Sequence, residues 1–416
     1  MSIIRNLLLT LGAMSALCAS ADKHYVGGDI SLLPEYEKAG AIYKTHDGKK
    51  IDSLLPWLRE QGMNAMRVRL FVDPKAYTGN DKDPNACQDL EYITPLCKQI
   101  VDNGFDLMLD FHYSDFWADP AKQWTPKAWE NLTDKELYEK IYDYTRSTLL
   151  TLKEQGIVPA FIQPGNEISY GMLWGKHDAK PEDLKKCYSG SQANWQRFAT
   201  LLRQAIKACR EVCPDVKIIL HTERVNKPDI QQNFYRQMRS WGVDYDIIGL
   251  SYYPYFHGNM SVLDNALNQL ESEFPDKNIM IVETGYAYKW EVPGTDQKVD
   301  YDYSDAGQNQ FAKDLVALLE RHKSVDGLFW WWMEYNAYGT KLANWYNAPL
   351  FDSTDGRACS ALTTICTFAT DGSSVSPLLS DSQNVEIWYD LQGRPVISPL
   401  LSGIYVSSEG RKIIRH

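Results

Sequence analysis

Two stretches of the chain place a glutamate where an apolar run stops. FIQPGNEISYGMLW, residues 161–174, turns from apolar to Asn166-Glu167, and IMIVETGYAY, residues 279–288, does the same at Glu283. Two carboxylates facing each other across a cleft are what cleavage of a glycosidic bond requires. One is protonated and gives its proton to the leaving oxygen. The other is ionised and attacks the anomeric carbon. A separation of about 5 Å would give retention of configuration. A plainer reading makes both glutamates ion-pair partners of Arg67 and Arg69, which sit two apart and so share one face of a strand. Both readings can hold together, because an Arg beside Glu283 would keep it ionised.

The elements that must position these residues follow a repeated pattern. An amphipathic run, a Gly and an apolar run recur at 57–72, 97–111, 151–162 and 236–250. Gly62, Gly104, Gly156 and Gly242 each fall where a helix C-terminus needs a left-handed residue. The apolar runs that follow read as strands buried on both faces. Eight strands are expected, at 25–30, 65–72, 106–112, 160–166, 216–222, 246–252, 279–284 and 326–332. Helical patterns such as 133–155, 193–211 and 306–323 separate them. Eight alternating units predict an α/β fold, a (β/α)8 TIM barrel. A doubly wound sheet should carry G-x-G-x-x-G after its first strand, and VGGDIS at 26–31 does not match it.

Active sites of such barrels lie at the C-terminal ends of the strands. Those ends carry Asp29, then Arg67 and Arg69, then Asp110 and His112, then Asn166 and Glu167. His221, Tyr252 and Tyr253, Glu283 and Trp330-Trp331-Trp332 complete the circuit. Strands 4 and 7 lie across the barrel mouth from each other, so Glu167 and Glu283 are placed to oppose one another.

Composition fits a neutral substrate. The formal charge is −11, from 43 basic and 54 acidic residues, so nothing supplies the counter-charge a nucleic acid needs. The 13 Trp, 25 Tyr and 13 Phe suit sugar faces or simply fill cores. Residues 1–21 read as an export signal, with Arg5, an apolar run and Ala19-Ser20-Ala21 as the cleavage site. Lipidation at Cys18 is the alternative. No other stretch approaches the roughly 20 apolar residues of a membrane span. The protein is therefore expected to be exported, whether secreted, periplasmic or held at the cell surface, and to act as a monomer. Seven cysteines remain beyond the signal. Free buried thiols are expected, with a local Cys359–Cys366 bridge as the alternative. The catalytic domain is placed at 22–370 and a Ser-rich linker at 371–384. A short β-rich tail at 385–416 reads as a secretion element or as an ordinary β appendage.

PGNEISYGMLW, DFHYSDFWADP, GLSYYPYF and VETGY, with VGGDIS and MRVRLFVDP, resemble the family 53 glycoside hydrolases. These are endo-β-1,4-galactanases of glycosidase clan A. The resemblance runs from about Tyr25 to Asp355. It implies that Glu167 is the general acid/base and Glu283 the nucleophile. Asn166 would bond the sugar 2-hydroxyl, Tyr253 would orient Glu283, and Arg67 would favour its charged form. Asp29, His112, Trp117, Asp119, His221 and the strand-8 Trp331 would line the subsites, with Arg69 and Tyr252 in support. Glu167 then needs its pKa raised by burial, and Glu283 needs its pKa lowered by Arg67.

Departures from the family lie around the cleft. Strand 8 reads WWWMEY where Trp-Glu-Pro is usual, strand 5 continues His221-Thr222-Glu223 where His-Leu-Asp is usual, and Gly175 follows Trp174 where Pro is common. The chemistry calls for no cofactor. Some family members bind calcium near the loop 292–305, which here holds Asp296, Asp300, Asp302 and Asp305. Its spacing matches no EF-hand, and a solvated acidic loop is the plainer reading. The expected activity is a retaining endo-β-1,4-galactanase acting on pectic galactan and arabinogalactan. A mannanase- or cellulase-type clan A endo-glycanase and a non-catalytic carbohydrate-binding barrel are the alternatives.

Overall fold

The computed structural model describes residues 24–77, 83–289, 291–292, 295, 297–335 and 348–369, and short strands at 388–389, 395–396, 403–407 and 412–415. The expected export signal, the linker 371–384 and Asp296 lie outside the described residues.

Eight parallel strands close into a barrel in sequence order. They are β1 (Tyr25–Asp29), β2 (Ala65–Leu70), β3 (Asp106–Phe111), β4 (Phe161–Pro164), β5 (Lys217–Thr222), β6 (Ile247–Tyr252), β7 (Asn278–Thr284) and β8 (Val325–Trp330). The helices between and after them are α1 (Leu33–Lys38), α2 (Leu54–Glu60), α3 (Leu90–Asp102), α4 (Asp134–Glu154) and α5 (Gln192–Val212). Then come α6 (Pro228–Ser240), α7 (Pro254–His257), α8 (Met260–Glu273), α9 (Asp305–Leu319) and α10 (Ser360–Cys366). The architecture is the expected (β/α)8 barrel. Among the described residues, no helix is long and apolar enough to cross a membrane.

The punctuation seen in the sequence has local causes. Thr133 and Glu136 form a reciprocal capping box that starts α4. Gly62 and Gly104 follow α2 and α3 with φ of +105° and +77°, a region that costs other residues strain. Several strands end one or two residues before the expected boundary. His112, Asn166, Glu167 and Trp331 therefore lie just past their strands, on the turns above the barrel.

The barrel interior changes character with height. Ala65, Met108, Phe161, Ile219, Ile247, Met280, Val282 and Phe329 form an apolar plug of their own. Two residues further along β2, β3, β4 and β5, the inward side is reached again, because side chains alternate along a strand. On β2 to β5 that next position holds Arg67, Asp110, Gln163 and His221, all fully buried. Polar groups thus rest directly on an apolar floor. Gly27 leaves room for this crowding on β1, where a Cβ would come within 1.7 Å of the Ala65 carbonyl oxygen.

Strand β7 departs from simple alternation. Met280 and Val282 both point into the plug while Ile281 packs outside, so strict alternation would turn Glu283 outward. The pairing with β6 slips there: Leu250 faces Ile281, but Ser251 faces Glu283. This bulge re-aims Glu283 into the barrel mouth, a recurrent use of bulges beside active sites.

All seven cysteines among the described residues are free. The weighed Cys359–Cys366 bridge does not form. The seven residues of α10 separate the two by about 10 Å along the helix axis, beyond disulfide reach. Residues 374–416 form a separate unit. Its strands β9 (Trp388–Tyr389), β10 (Pro395–Val396), β11 (Gly403–Ser407) and β12 (Lys412–Arg415) make an antiparallel sheet in the order β10-β9-β11-β12.

Candidate active site

Arg67 is the hub of the mouth. Its Nη1 lies 3.2 Å from Asp29 Oδ2, and its Nη2 lies 2.8 Å from Asp110 Oδ2 and 3.0 Å from Glu283 Oε1. Its Nη2 also donates to Asn166 Oδ1 at 2.8 Å, and its Nε to Gln163 Oε1 at 2.7 Å. Asn166 Nδ2 donates to the Ala118 carbonyl at 2.8 Å, which fixes the amide plane. One planar guanidinium therefore sets the positions of residues from β1, β3, β4 and β7. Its rigid fork makes this possible. Arg69 adds a 2.7 Å contact to Asp29 Oδ1.

Glu283 is held from two sides. Tyr253 donates its hydroxyl to Glu283 Oε2 at 3.2 Å, and Arg67 faces Oε1. The Arg67 contact is close but poorly aligned for a hydrogen bond, so its attraction is mainly that of charge for charge. The expected lowering of the Glu283 pKa is not found. Burial raises it, Arg67 lowers it, and Asp110 and Asp29 raise it again, leaving it pushed up to about 7. The reason is division of charge: Arg67 is shared by three carboxylates, and Asp110 takes enough of it to be lowered despite its own burial. The two histidines nearby do not restore the balance. Burial lowers the pKa of both His112 and His221, so they stay neutral.

Among the described residues, no arginine lies against Glu167. Gly165, with φ of +122°, turns the chain off β4, and Glu167 itself sits at φ +49°. That conformation costs a residue with a side chain on the order of 1 kcal/mol, and such strain clusters at functional sites. A relay holds the carboxyl group. Ser251 Oγ donates to Glu167 Oε1 at 2.7 Å, and His221 Nε2 lies 2.8 Å behind Ser251 Oγ. His221 Nδ1 accepts the Glu167 backbone N–H at 3.4 Å. The pattern assigns a neutral imidazole with its proton on Nε2. Burial, then Glu283, then Glu223 push the Glu167 pKa well above the usual carboxylate range.

One oxygen of Glu167, one of Glu283 and one ring nitrogen of His221 all lie within 4.8 Å of one another. That spacing could chelate an ion. Both ring nitrogens of His221 already have protein partners, however, which favours acid–base work. For the glutamates it falls short of the roughly 6.5–9.5 Å that leaves room for an attacking water, and matches the close pair of a retaining enzyme.

Both glutamates open onto a cavity of about 490 Å³. Trp117, Asp119, Asn166, Tyr253 and Trp331 line it, as the sequence reading placed them. Asp29, Arg67, His112 and His221 do not: they lie beneath it, fully buried, and act on the groups above them. His112 accepts the Ala118 N–H at 3.0 Å and sits 3.1 Å from Asp110. Tyr252 does not line the cavity and donates to the Gly258 carbonyl, so its support for the site is indirect. Arg69 stacks its guanidinium on Trp117, Trp331 and Trp332 at 4.7, 4.8 and 5.5 Å, and so braces the aromatic wall. None of the described residues of the acidic loop lines the cavity, and Asp305 accepts from Ser360.

Sequence reading missed several members. Gln163, Ser251 and Gln123 position the glutamates and Asn166, with Gln123 Nε2 donating to the Asn166 carbonyl at 2.7 Å. Gln163 carried a signal in its inward register, two residues from Phe161. Glu223, Arg224, Phe256 and His257 also line the cavity.

Similarity to known proteins agrees with this geometry. The model of glycosyl hydrolase family 53 matches residues 25–365. An arabinogalactan endo-β-1,4-galactanase of Cellvibrio japonicus is 32% identical over 352 residues, covering 79% of this chain and 87% of its own. An endo-β-1,4-galactanase of Bacillus subtilis is 28% identical, covering 79% and 74%. Among solved structures, the family 53 catalytic domain of Ignisphaera aggregans superposes with a TM-score of 0.72 at 34% identity, covering 84% of this chain and 97% of that one. A barrel with paired glutamates, one just past β4 and one on β7, and a matching sequence across its whole length is decisive: the chain belongs to glycosyl hydrolase family 53.

Proposed function

We propose that the protein is a retaining endo-β-1,4-galactanase that cleaves galactan and arabinogalactan side chains of pectin. The observation that carries this reading is the pair Glu167 and Glu283, close together in one cavity with different partners. Ionised Glu283 attacks the anomeric carbon and forms a glycosyl ester while the bond to the leaving oxygen breaks. Glu167 gives that oxygen its proton. Glu167 then takes a proton from water, which attacks the same carbon and frees Glu283. Asn166, locked by Arg67 and Ala118, offers its remaining N–H to the 2-hydroxyl, where a contact strengthens in the transition state. Tyr253 holds Glu283 in line for attack. No step calls for a cofactor.

The choice of galactan over mannan or cellulose is supported by the names of the similar enzymes. Export is supported by the N-terminal sequence, with Arg5, the apolar run and Ala19-Ser20-Ala21. The purified protein should be incubated with β-1,4-galactan, mannan and cellulose, and the first product followed by proton NMR. Internal cleavage of galactan with β-anomer appearing first is expected. Cleavage of mannan or cellulose instead would replace the substrate assignment, and an α-anomer would overturn retention.

A further inference from the structure

We infer that the leaving half of the substrate runs out of the cavity along an arm built from Arg224, Phe256, Tyr170 and Tyr188, and that this arm binds additional sugar units of a long galactan. The inference rests on the role of Glu167 given above. The proton donor touches the leaving oxygen, so the leaving sugar begins beside Glu167. The cavity wall on that side comes from the turns after β5 and β6, with Glu223, Arg224 and Phe256.

Glu223 ties this wall to the donor's own loop. Its Oε2 accepts from Ser169 Oγ at 2.9 Å, two residues past Glu167, and its Oε1 lies 2.7 Å from Arg224 Nε. The Arg224 guanidinium then lies 4.9 Å from the centre of the Tyr170 ring. Tyr170 packs on Tyr188 with ring centres 5.3 Å apart. Flat faces therefore follow one another from the cavity to the surface.

The far end is open. Tyr188 is 51% exposed and Phe256 41%, and they are two of four large apolar side chains so exposed among the described residues. The other two, Ile42 and Val158, are aliphatic groups of the kind every surface carries. Aromatic rings continuous with a cavity differ from such groups. They offer a stacking face to the C–H side of a pyranose, while Arg224 offers donors to its hydroxyls. Above about pH 7, where Glu223 is ionised, it offsets the Arg224 charge, so the arm then fits a neutral chain and not an anionic one.

The test uses the full chain with Tyr188→Ala and the double variant Tyr170→Ala/Tyr188→Ala. Each is assayed on polymeric galactan and on an aryl β-galactobioside, whose small phenol leaving group does not reach the arm. For the double variant, kcat/KM on the polymer should fall about fivefold, the scale of an aromatic contact. On the aryl substrate it should fall less than about twofold by the same reasoning. Equal losses on the two substrates, or no loss on the polymer, would overturn the arm. Tyr188→Ala, at a half-exposed ring, keeps the test valid if the double variant folds poorly. A wild-type protein that cleaves neither substrate would instead overturn the galactanase reading.

Discussion

Glu283 and Glu167 bring the same carboxyl group to one cavity from two unlike corners. Around Glu283 stand Arg67, Asp29, Asp110 and Tyr253, a corner dense in charge. Around Glu167 stand Ser251, His221 and the turn of β4, a corner with no cation in contact among the described residues. Both groups titrate high because both are withdrawn from water, Glu283 fully and Glu167 in large part. They differ in what opposes burial. Arg67 pulls Glu283 back to about 7, and among the described residues nothing comparable acts on Glu167. A division of labour between nucleophile and acid thus needs only a difference between the two pKa values, with neither at its ordinary value.

The strongest way to break this comparison is to remove each carboxyl group in turn. Glu283→Ala and Glu167→Ala should each lower kcat on galactan by about 10⁴-fold or more, as loss of a unit of covalent catalysis does. Azide separates them. In Glu283→Ala it occupies the vacated space and gives an α-glycosyl azide; in Glu167→Ala it attacks the glycosyl ester and gives a β-glycosyl azide. An aryl galactoside with a good leaving group is the substrate for both, followed by NMR. Reversed anomers would exchange the two roles.

Arg67→Lys keeps a charge and loses the fork. We expect kcat/KM to fall about 10²-fold, as for a displaced catalytic group. The acid limb of the pH profile should also move upward. The sign follows from Glu283, which must be ionised: activity is lost as pH falls through its pKa, and weaker pairing raises that pKa. An unmoved acid limb would show that Arg67 does not set the charge of Glu283.

Glu223→Gln probes the neutral corner. Glu223 contributes to raising the Glu167 pKa, so removing its charge should lower that pKa and shift the alkaline limb to lower pH, with the acid limb fixed. The effect should appear above about pH 7, where Glu223 itself becomes charged. A shift in the other direction, read from kcat/KM against pH, would refute the coupling.

The smallest effect concerns stability. A buried carboxyl group with a raised folded pKa holds its proton more tightly when folded. Folding therefore loses stability as pH rises from the unfolded value of about 4.3 toward the folded one. Glu167→Gln removes that loss and keeps the Ser251 contact. Its melting temperature should rise by about 2–4 °C at pH 7 and stay unchanged near pH 4. An equal gain at both pH values would point to packing and not to charge.

Much of this was legible in the sequence, and the parts that were not share a cause. Gly62, Gly104, Gly156 and Gly242 marked helix ends because one residue's backbone preference is a local property. Glu167 and Glu283 stood out because each interrupts an apolar run. The fate of Arg67 was hidden, since its partners come from β1, β3, β4 and β7 and only the barrel register brings them together. Hence the sign of the Glu283 shift was misjudged: the competition of Asp29 and Asp110 for the same guanidinium was not foreseen. The aim of Glu283 was hidden too. It depends on the slip between β6 and β7, which belongs to a pair of strands and to neither alone. Ser251 carried no signal of its own, since a lone hydroxyl on a buried strand is common.

The shared guanidinium has a consequence for the reaction cycle as a whole. The layer above the apolar plug holds Asp29, Asp110 and Glu283 against Arg67 and Arg69. With Glu283 ionised, that layer carries one more negative charge than positive. The transition state develops positive charge on the sugar ring and so supplies the missing counterpart. Once the ester forms, Glu283 is neutral, and two acids face two guanidinium groups. With Glu283 ionised, the free enzyme is thus the electrostatically unbalanced member of the cycle, and sugar transfer to Glu283 brings that layer to neutrality.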